Sequence, residues 1–498
     1  MSVEKVAIQD LMNRSSVGFG TSGARGRVVD MTPAVCYAYT RGFLQHVAWV
    51  ERQRNPGIAP LTSGDGAASG KAVAIAGDLR PSTPEIMKAI AAACVDAGYQ
   101  PINCGFIPSP AVVTYGMQLG IASIMVTGSH IPDDRNGIKF NTAFGEIMKD
   151  DEAGIRAQTV EMPAVIHADA LPTVDAQARA AYVRRYLDFF GAGALAGMRV
   201  AVYEHSGVAR DLLSEILMGL GADVLRLGRS TVFMPVDTEA IRAEDVELAR
   251  DWAKEHHFDA IISTDGDADR PLIGTEAGVW LRGDVVGVLC AQALGINAVA
   301  TPVSSNTVVE GCGAFAQVTR TRIGSPYVIA GMQALQAAGF TSVAGYEANG
   351  GFLLATDIER DGRRLTALPT RDAVLPILAL LTEAYRQKVP LSALSQTLPA
   401  RFTASDRLKN YPTERSRTLI ESLITGGAPA MEQMFGALCG RVASIDTTDG
   451  LRMSFENGEI VHLRPSGNAP EFRCYNEAGS EVRVVELNCA CLDVLRQV

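Results

Sequence analysis

Three aspartates, Asp265, Asp267 and Asp269, stand at alternate positions directly after a short apolar segment. Carboxylate oxygens are the ligands that hard divalent cations prefer, and carboxylates this close repel one another unless a cation neutralises them. A solvated acidic turn is one alternative. An EF-hand loop is another, but its sixth position requires glycine, and this chain has Arg270 there, followed by Pro271. The spacing therefore favours a bound dication with open positions that a phosphate oxygen can fill.

A serine and a histidine, Ser129 and His130, follow the apolar segment Ala122–Val126, and Lys139 comes shortly after them. In open α/β sheets, ligands bind beyond the carboxyl ends of the strands, which is where Ser129 is expected. The alternative is an ordinary polar loop in which Ser129 caps a helix. On these residues alone both interpretations stay open.

Two further segments combine glycines with polar side chains. In Gly345–Gly351, Glu347 and Asn349 could share one face and bind two neighbouring hydroxyls, although alone the segment is more typical of an ordinary glycine turn. The later segment offers two guanidiniums, a hydroxyl, an amide and a glycine N–H, which together suit a phosphate. Its members are Arg464, Ser466, Gly467, Asn468 and Arg473. A solvated hairpin with an incidental arginine is the alternative.

Alternating strand and helix patterns position these groups. Ala72–Ala76 indicates a buried strand, Ser82 begins a helix with Glu85 at its third position, and Ala122–Val126 is the next strand. This order is a β-α-β unit with a parallel sheet. It recurs from residue 199 to 263 and again from residue 284, where a helix is expected over Asp372–Arg386, without a residue-level repeat.

The pattern changes after residue 390. Short strands alternate with the turn signals Asp449-Gly450 and Asn457-Gly458, and a helix over Glu481–Gln497 closes the chain. We therefore predict an α/β fold with three mixed α/β domains built from βαβ units, followed by a C-terminal α+β domain. The predicted boundaries are residues 1–170, 171–280, 281–390 and 391–498.

The composition is that of a globular protein, since 47% of the 498 residues are hydrophobic and 20% are charged, with a formal net charge of −10. No run of lysines and arginines is present, so we expect no nucleic-acid partner. No apolar segment is long enough to cross a membrane, and the N-terminus lacks the pattern of a targeting signal. The nine scattered cysteines predict free, buried thiols in a cytoplasmic protein.

The four segments, in this order, resemble the motifs of the α-D-phosphohexomutase family, and Phe19–Gly26 resembles the entry motif of that family. The similarity extends over almost the whole chain. The phosphoserine loop of the family resembles Thr127–Pro132 with Asn136–Lys139, its metal loop Asp265–Arg270, its sugar loop Gly345–Gly351 and its phosphate loop Arg464–Pro470.

The resemblance implies domains arranged around one central cleft and an exchange of phosphate between O6 and O1 of a hexose. It implies that Ser129 carries the phosphoryl group and completes a site in which Asp265, Asp267 and Asp269 hold one Mg²⁺. The implied intermediate is a hexose 1,6-bisphosphate, and the implied partner is a hexose phosphate. We expect the protein to be a monomer or a homodimer. The further catalytic candidates are His130, Lys139, Arg25 and Arg270. Substrate contacts are expected from Thr21, Ser22, Gly324, Ser325, Glu347, Asn349, Arg464, Ser466, Gly467, Asn468 and Arg473.

The chain departs from the family pattern at several positions. Ser325 and Gly351 stand where members of the mannose type often carry histidine, so a histidine general base is not expected, and Lys139, Arg25 and Glu347 are the candidates. Asn468 and Ala469 replace the usual threonine and glutamate, but asparagine still donates a hydrogen bond.

The sequences of Thr127–Pro132 and Asp134–Lys139 most resemble those of bacterial phosphomannomutases, and this resemblance favours mannose phosphate as the substrate. Glucose phosphate and glucosamine phosphate are the alternatives among sugars. A catalytically silent sugar-phosphate binder is the alternative outside the enzymes.

Overall fold

The computed structural model describes residues 4–20, 23–54, 71–466 and 470–497. Strands and helices alternate through most of these residues, and four main sheets succeed one another along the chain. The predicted mixed α/β class is confirmed. The domain boundaries at residues 170, 280 and 390 remain a prediction.

The N-terminal part of the chain builds the first sheet. Its strands are β1 (Glu4–Ala7), β2 (Gly18–Phe19), β3 (Ala24–Arg27), β4 (Ala72–Gly77), β5 (Gln100–Phe106), β6 (Ala122–Val126), β7 (Arg135–Thr142), β8 (Gly145–Glu146) and β9 (Thr159–Met162). Its helices are α1 (Ile8–Arg14), α2 (Pro33–Arg54), α3 (Thr83–Asp96), α4 (Ser109–Leu119) and α5 (Lys149–Arg156). The strand order is β2-β3-β7-β6-β4-β5, with β8 beside β7, and β1 pairs separately with β9.

The middle of the chain builds the second and third sheets. The second contains β10 (Arg199–His205), β11 (Asp223–Arg229), β12 (Ala260–Thr264) and β13 (Pro271–Gly274), with α6 (Gln177–Phe190), α7 (Arg210–Gly219) and α8 (Ala243–Glu255). The third region contains β14 (Ala298–Pro302), β15 (Gln317–Thr321), β16 (Val343–Tyr346), β17 (Phe352–Leu354), β18 (Ile358–Arg360), β19 (Arg363–Leu365) and β20 (Leu368–Asp372). Its helices are α9 (Gly283–Ala293), α10 (Val308–Gly311), α11 (Ser325–Ala337), α12 (Val374–Gln387) and α13 (Leu391–Gln396).

These three sheets share one strand order. In each, the first strand lies between the second and the third, both parallel to it, and the fourth strand runs antiparallel to the third. The strands concerned, in chain order, are β4–β7, β10–β13 and β14–β17. The recurrence predicted from element order is therefore a repeated topology, and each repeat carries a hairpin after its third strand.

The C-terminal sheet is antiparallel, in the order β21-β25-β24-β23-β22. Its elements are β21 (Phe402–Lys409), α14 (Thr413–Cys439), β22 (Val442–Asp446), β23 (Leu451–Phe455), β24 (Ile460–Pro465), β25 (Glu471–Ala478) and α15 (Glu481–Arg496). Sequence reasoning missed β21, in which every residue except Leu408 is half-buried or exposed, so that the strand shows no clear alternation. It also missed α14, which is interrupted at Gly427, with φ at 61°, just before Pro429.

Two helix starts differ from the predicted ones. Ser82 stands at the N-cap of α3, but its side chain makes no capping bond, and its Oγ instead accepts a hydrogen bond from Asn136 Nδ2 at 2.9 Å. The helix predicted to begin at Asp372 begins at Val374, because Asp372 ends β20 and its Oδ1 accepts the N–H of Val374 at 2.9 Å.

One continuous hydrophobic core joins the first three sheets. Met125 from the first, Ile262 from the second and Val299 from the third belong to the same buried cluster. The C-terminal sheet has a core of its own, which includes Phe435 and Phe472. Apolar side chains of the C-terminal part therefore pack mainly against one another.

Among the described residues, no helix combines the length and apolarity that a bilayer span requires. All nine cysteines are free. Cys489 is exposed and Cys312 half-buried, so the prediction of buried thiols is wrong for these two.

A buried carboxylate ties helix α6 to the third sheet. Asp372 accepts hydrogen bonds from the hydroxyl of Tyr182, at 2.6 Å, and from the hydroxyl of Tyr186. Burial, together with the charge of Asp372, raises the pKa of both tyrosines well above the usual value, so both stay protonated donors. Because Asp372 is the last residue of β20, these bonds fix the end of that strand.

Replacing Tyr186 by phenylalanine tests this anchor. Tyr186→Phe removes a hydrogen bond to a buried carboxylate, so we expect the free energy of unfolding to fall by about 1.5–3 kcal/mol. Urea denaturation followed by tryptophan fluorescence measures the loss. Tyr385→Phe on the exposed face of α12 is the control and should change stability by less than about 0.5 kcal/mol. Equal stability of the two variants would contradict the anchoring role.

Candidate active site

Three hairpin loops, one from each related sheet, carry the predicted functional side chains. They follow the third strand of each repeat and comprise residues 127–134, 265–270 and 347–351. We call them the serine loop, the acidic loop and the sugar loop. Each contains a residue with positive φ, namely Ser129 at 54°, Ala268 at 57° and Gly350 at 88°. Ser129 thus lies beyond the carboxyl end of a strand, where the sequence predicts it.

The serine loop is held by buried polar groups. A left-handed backbone conformation costs free energy for any residue with a side chain, and Ser129 adopts it. Hydrogen bonds at the N–H and at the carbonyl of Ser129 maintain this conformation. The Ser129 N–H donates to Thr127 Oγ1 at 2.7 Å, and Arg80 Nη2 donates to the Ser129 carbonyl at 2.7 Å. The buried Arg80 also donates to the Pro132 carbonyl at 3.0 Å and pairs with Asp78 at 3.1 Å. The loop is therefore fixed before any ligand arrives.

The serine loop and the acidic loop touch. Ser129 Oγ donates a hydrogen bond to Asp265 Oδ2 at 2.6 Å, and only 1% of Ser129 is exposed. The next residue, Gly266, allows this approach, because a Cβ at that position would stand 2.7 Å from the Ser129 carbonyl oxygen. A hydroxyl and three carboxylates are thereby brought together across two sheets.

The three aspartates of the acidic loop form one buried cluster. Asp265, Asp267 and Asp269 are at most 2% exposed, and one oxygen from each lies within 4.8 Å of the others. The Oδ1 atoms of Asp267 and Asp269 are buried without a hydrogen-bond partner. Unpartnered buried carboxylate oxygens are costly, and a hard divalent cation would satisfy them. The donor set therefore fits a divalent metal ion.

Cations surround this cluster. Lys139 Nζ donates to Asp267 Oδ2 and to Asp269 Oδ2, both at 2.6 Å. Burial alone would lower the pKa of Lys139, but these two carboxylates raise it above its usual value, so the ammonium stays charged. Arg270 Nε lies 3.6 Å from Asp269 Oδ1 and 4.0 Å from Asp265 Oδ2.

The carboxylates differ in how well they are compensated. Burial, followed by the charges of Asp267 and Asp269, raises the pKa of Asp265 well above its usual value. Burial has the same effect on Asp269, but Arg371 and Lys139 outweigh it and hold the pKa of Asp269 below its usual value. Asp269 is therefore the better compensated of these two carboxylates.

Two other predicted catalytic residues, His130 and Arg25, experience the charge of Arg270. His130 Nδ1 lies 3.4 Å from Ser129 Oγ and 2.9 Å from Arg270 Nη1, and its Nε2 lies 3.9 Å from Asp237 Oδ2. Burial, followed by the charge of Arg270, lowers the pKa of His130 to about 3, so the ring is neutral at neutral pH. Burial and Arg270 also lower the pKa of Arg25 to about 10, and Arg25 stays cationic.

The sugar loop is linked to the acidic loop by a buried arginine. Arg371 Nη1 donates to Glu347 Oε2 at 3.0 Å, and Arg371 Nη2 lies 2.9 Å from Asp269 Oδ2. Within the loop, Asn349 Oδ1 accepts the N–H of Gly351 at 2.9 Å. Because the Asn349 oxygen shapes the turn, the amide nitrogen is the group that Asn349 can offer a ligand.

Gly324 and Ser325 lie at the start of α11, with Gly324 at φ 132°. Ser325 Oγ donates to Glu146 Oε2 at 2.6 Å, and Glu146 Oε1 accepts the hydroxyl of Thr370, also at 2.6 Å. The Ser325 hydroxyl is therefore engaged with Glu146 of the first sheet.

The predicted phosphate-binding residues lie in the C-terminal sheet. Arg464 and Arg473 stand opposite each other on β24 and β25, and Ser466 is buried just after β24. Arg464 Nε lies 3.0 Å from Asp449 Oδ2, which also accepts the N–H of Ile323 from the third part of the chain at 2.9 Å. Four predicted contacts, Thr21, Ser22, Gly467 and Asn468, lie outside the described residues.

Sequence reasoning missed three groups that support the loops: Asp78, Arg80 and Arg371. Asp78 directly follows the strand β4, a position that could have suggested it. Arg371 gave no local signal, because its partners Asp269 and Glu347 are distant in the sequence. Arg80 pairs with the nearby Asp78, but the serine-loop carbonyls that it binds are distant in the sequence.

Two proteins named phosphomannomutase are similar to this chain over most of its length. The one from Sinorhizobium fredii is 44% identical over 465 residues, which cover 92% of this chain and 94% of that protein. The one from Salmonella muenchen is 44% identical over 480 residues, which cover 95% and 94%. A phosphoglucosamine mutase from Parafrankia sp. is 28% identical over 509 residues, which cover 96% and 98%.

The fold is shared with a solved structure described as a putative phosphomannomutase from Thermus thermophilus. The TM-score is 0.72 at 21% sequence identity, and the match covers 97% of this chain and 99% of that one. Models of the phosphoglucomutase/phosphomannomutase alpha/beta/alpha domains I, II and III match residues 16–163, 180–278 and 282–402. The chain, with its three hairpin loops meeting around a buried acidic cluster, therefore belongs to the phosphoglucomutase/phosphomannomutase family.

Proposed function

We propose that this chain is a phosphohexomutase that interconverts hexose 6-phosphate and hexose 1-phosphate, with mannose phosphate as its substrate. The observation that carries the proposal is the 2.6 Å hydrogen bond from Ser129 Oγ to Asp265 Oδ2, beside carboxylate oxygens that lack partners. A nucleophilic oxygen against a dication site is what phosphoryl transfer requires. The two relatives named phosphomannomutase, at 44% identity, support mannose as the sugar.

Ser129 carries the phosphoryl group in this proposal. In the first transfer, the bond between phosphorus and Ser129 Oγ breaks and Ser129 Oγ gains a proton. A bond from that phosphorus to a hydroxyl oxygen of the hexose phosphate forms, and the hydroxyl loses its proton. The product is a hexose 1,6-bisphosphate. After the bisphosphate has turned over in the cleft, the bond between its other phosphorus and the sugar oxygen breaks, and that phosphorus bonds to Ser129 Oγ. Ser129 Oγ loses its proton, the freed sugar oxygen gains one, and the enzyme is again phosphorylated.

Asp265, Asp267 and Asp269 would hold one Mg²⁺, with an oxygen on Ser129 as a further ligand. When bound, the ion supplies neutralisation of the charge on the transferring oxygens. The burial of all three aspartates keeps bulk water from this region, which protects a phosphoserine from hydrolysis.

The surrounding cations supply fixed positive charge. Lys139, Arg25 and Arg270 are all protonated near neutral pH, so they stabilise the transferring group and do not accept protons. His130 is neutral but binds protons too weakly to act as a base near pH 7. Glu347 is then the group proposed to accept the proton of the sugar hydroxyl.

The C-terminal part would grip the phosphate that is not reacting. Its proposed contacts are Arg464, Ser466, Gly467, Asn468 and Arg473, with Thr21 and Ser22 contributing from the first part, and Gly324 and Ser325 from the third. A separate hydrophobic core suits a part that closes over the ligand. We further propose that the enzyme acts in the cytoplasm as a monomer or homodimer.

The phosphoserine is tested by mapping and assay together. After incubation with glucose 1,6-bisphosphate, peptide mass spectrometry should find phosphate on Ser129, and the protein should convert mannose 1-phosphate faster than glucose 1-phosphate. Ser129→Ala should abolish both turnovers, whereas Ser214→Ala, at a buried serine of α7, should leave them unchanged. A protein that turns over sugar phosphates without phosphate on Ser129 would contradict the mechanism.

The metal site is tested by chelation and by Asp267→Asn. A chelator should remove activity, and Mg²⁺ should restore it. Asp267→Asn weakens ion binding but relieves repulsion among the carboxylates, so kcat should fall by roughly 100-fold while the thermal unfolding midpoint holds or rises. The exposed Asp251→Asn on α8 is the control for charge loss. Full activity in excess chelator would exclude the metal assignment.

The phosphate grip is tested at Arg464. The contact of Arg464 with the unreacting phosphate is expected to be equally strong in the ground state and in the transition state, so its loss should weaken substrate binding more than it slows the chemical step. Arg464→Ala should therefore raise KM by about 10- to 100-fold with a smaller fall in kcat. Arg464→Lys should recover only part, because it lacks the bidentate fork. Arg496→Ala at the exposed end of α15 should change neither constant. An unchanged KM for Arg464→Ala, with no compaction in X-ray scattering on adding mannose 1-phosphate, would refute the closing grip.

A further inference from the structure

Arg371 is a buried guanidinium that touches two of the three loops at once. Only 3% of its side chain is exposed, and its two terminal nitrogens reach Asp269 Oδ2 at 2.9 Å and Glu347 Oε2 at 3.0 Å. We propose that Arg371 is a positioning residue that joins the acidic loop to the sugar loop, holding Glu347 in place for the sugar and tempering the affinity of the aspartates for the metal. The inference rests on the proposed function.

The chain leaves room for Arg371 at one glycine. A Cβ at Gly351 would stand 2.8 Å from both Cγ and Cδ of Arg371, closer than side-chain carbons approach one another. No φ in the left-handed region requires glycine at this position. Space for the arginine is therefore the physical reason for the absence of a side chain at residue 351.

The strand that carries Arg371 is held on both sides of it. Thr370 donates to Glu146 in the first sheet, and Asp372 accepts from Tyr182 and Tyr186 of α6. Because successive residues of a strand point to opposite faces, Arg371 faces the loops while Asp372 faces the helix. A fixed backbone gives the guanidinium a fixed reach, which is what a positioning residue requires.

The two carboxylates need Arg371 for different reasons. Glu347 gains an orienting partner for Oε2, so that its other oxygen can be presented to a hydroxyl. Asp269 shares Oδ2 between Arg371 and Lys139, while its Oδ1 makes no hydrogen bond and lies 3.6 Å from Arg270 Nε. The guanidinium charge opposes a dication at that cluster, so removing it should strengthen metal binding while weakening sugar binding.

Opposite changes in the two affinities are the signature to measure. In the full-length, dephosphorylated protein, Arg371→Met should lower the Kd for Mn²⁺, measured by calorimetry without sugar, by about tenfold, because one nearby positive charge is lost. The same variant should raise KM for mannose 1-phosphate by about tenfold, because Glu347 loses its orientation. A residue that merely supports the fold would weaken both affinities together.

Arg371→Lys separates charge from geometry. An ammonium keeps the charge, so the Kd for Mn²⁺ should stay within about threefold of the original, but it cannot span two carboxylates, so KM should still rise. This variant decides the question even if Arg371→Met does not fold. Arg320→Met, which removes an arginine paired with Glu310 elsewhere in the third part, is the matched control and should change neither constant.

Gly351→Ala approaches the same contact from the other side. Its Cβ should displace Arg371 and raise KM, whereas Gly351→Ala added to Arg371→Met should raise KM less than twofold further, because the two changes remove one interaction. Gly311→Ala, where a Cβ meets only ordinary contacts, is the control. The proposal would be overturned if Arg371→Lys had the same KM as the unaltered chain. It would also be overturned if a folded Arg371→Met bound Mn²⁺ no more tightly than the unaltered chain. Failure of the unaltered chain to interconvert sugar phosphates would instead refute the proposed function, while the Mn²⁺ measurements would still stand.

Discussion

The burial of three carboxylates within 4.8 Å of one another is the constraint on which the rest of the structure depends. Charges removed from water require partners, and here the partners come from different parts of the chain. The first part contributes Lys139 and the hydroxyl of Ser129, the acidic loop contributes Arg270, and the third part contributes Arg371. The contacts that compensate the cluster therefore also bind the first three sheets together, in addition to the core they share.

The repeated topology explains how one cleft can collect such different groups. Each of the three sheets presents a hairpin after its third strand, and parallel strands bring those hairpins to corresponding edges. The three loops share one backbone feature, since each contains a residue with positive φ. The side chains differ, so that one loop offers a hydroxyl, the next a set of carboxylates, and the third a glutamate with an asparagine. The same strand topology thus carries a different set of functional groups in each of the three sheets.

The sequence predicts the functional groups that stand next to a recognisable strand, but it does not predict contacts between residues that are distant along the chain. The acidic loop and Ser129 could be found because each stands directly after a short apolar strand, and strand and group are adjacent along the chain. Arg371 and Arg80 could not, because an isolated arginine carries no pattern and the loop groups that they bind, Asp269, Glu347 and Ser129, are distant in the sequence. Ser82 shows a subtler failure, since its residue type suits a cap but tertiary contact with Asn136 takes its hydroxyl. In the C-terminal part, the half-buried β21 and the interrupted α14 lack the periodicity on which such predictions depend.

The distribution of the compensating cations has a consequence for how the chain is made. Synthesis proceeds from the N-terminus, and parts of a chain fold largely in the order in which they leave the ribosome. Lys139 is already present when the three aspartates emerge, but Arg371 follows only after most of the third sheet has been translated. Until then, the acidic loop lacks one of the cations that compensate it in the folded chain. The link between the acidic loop and the sugar loop can therefore be completed only after the last strand of the third sheet has been made.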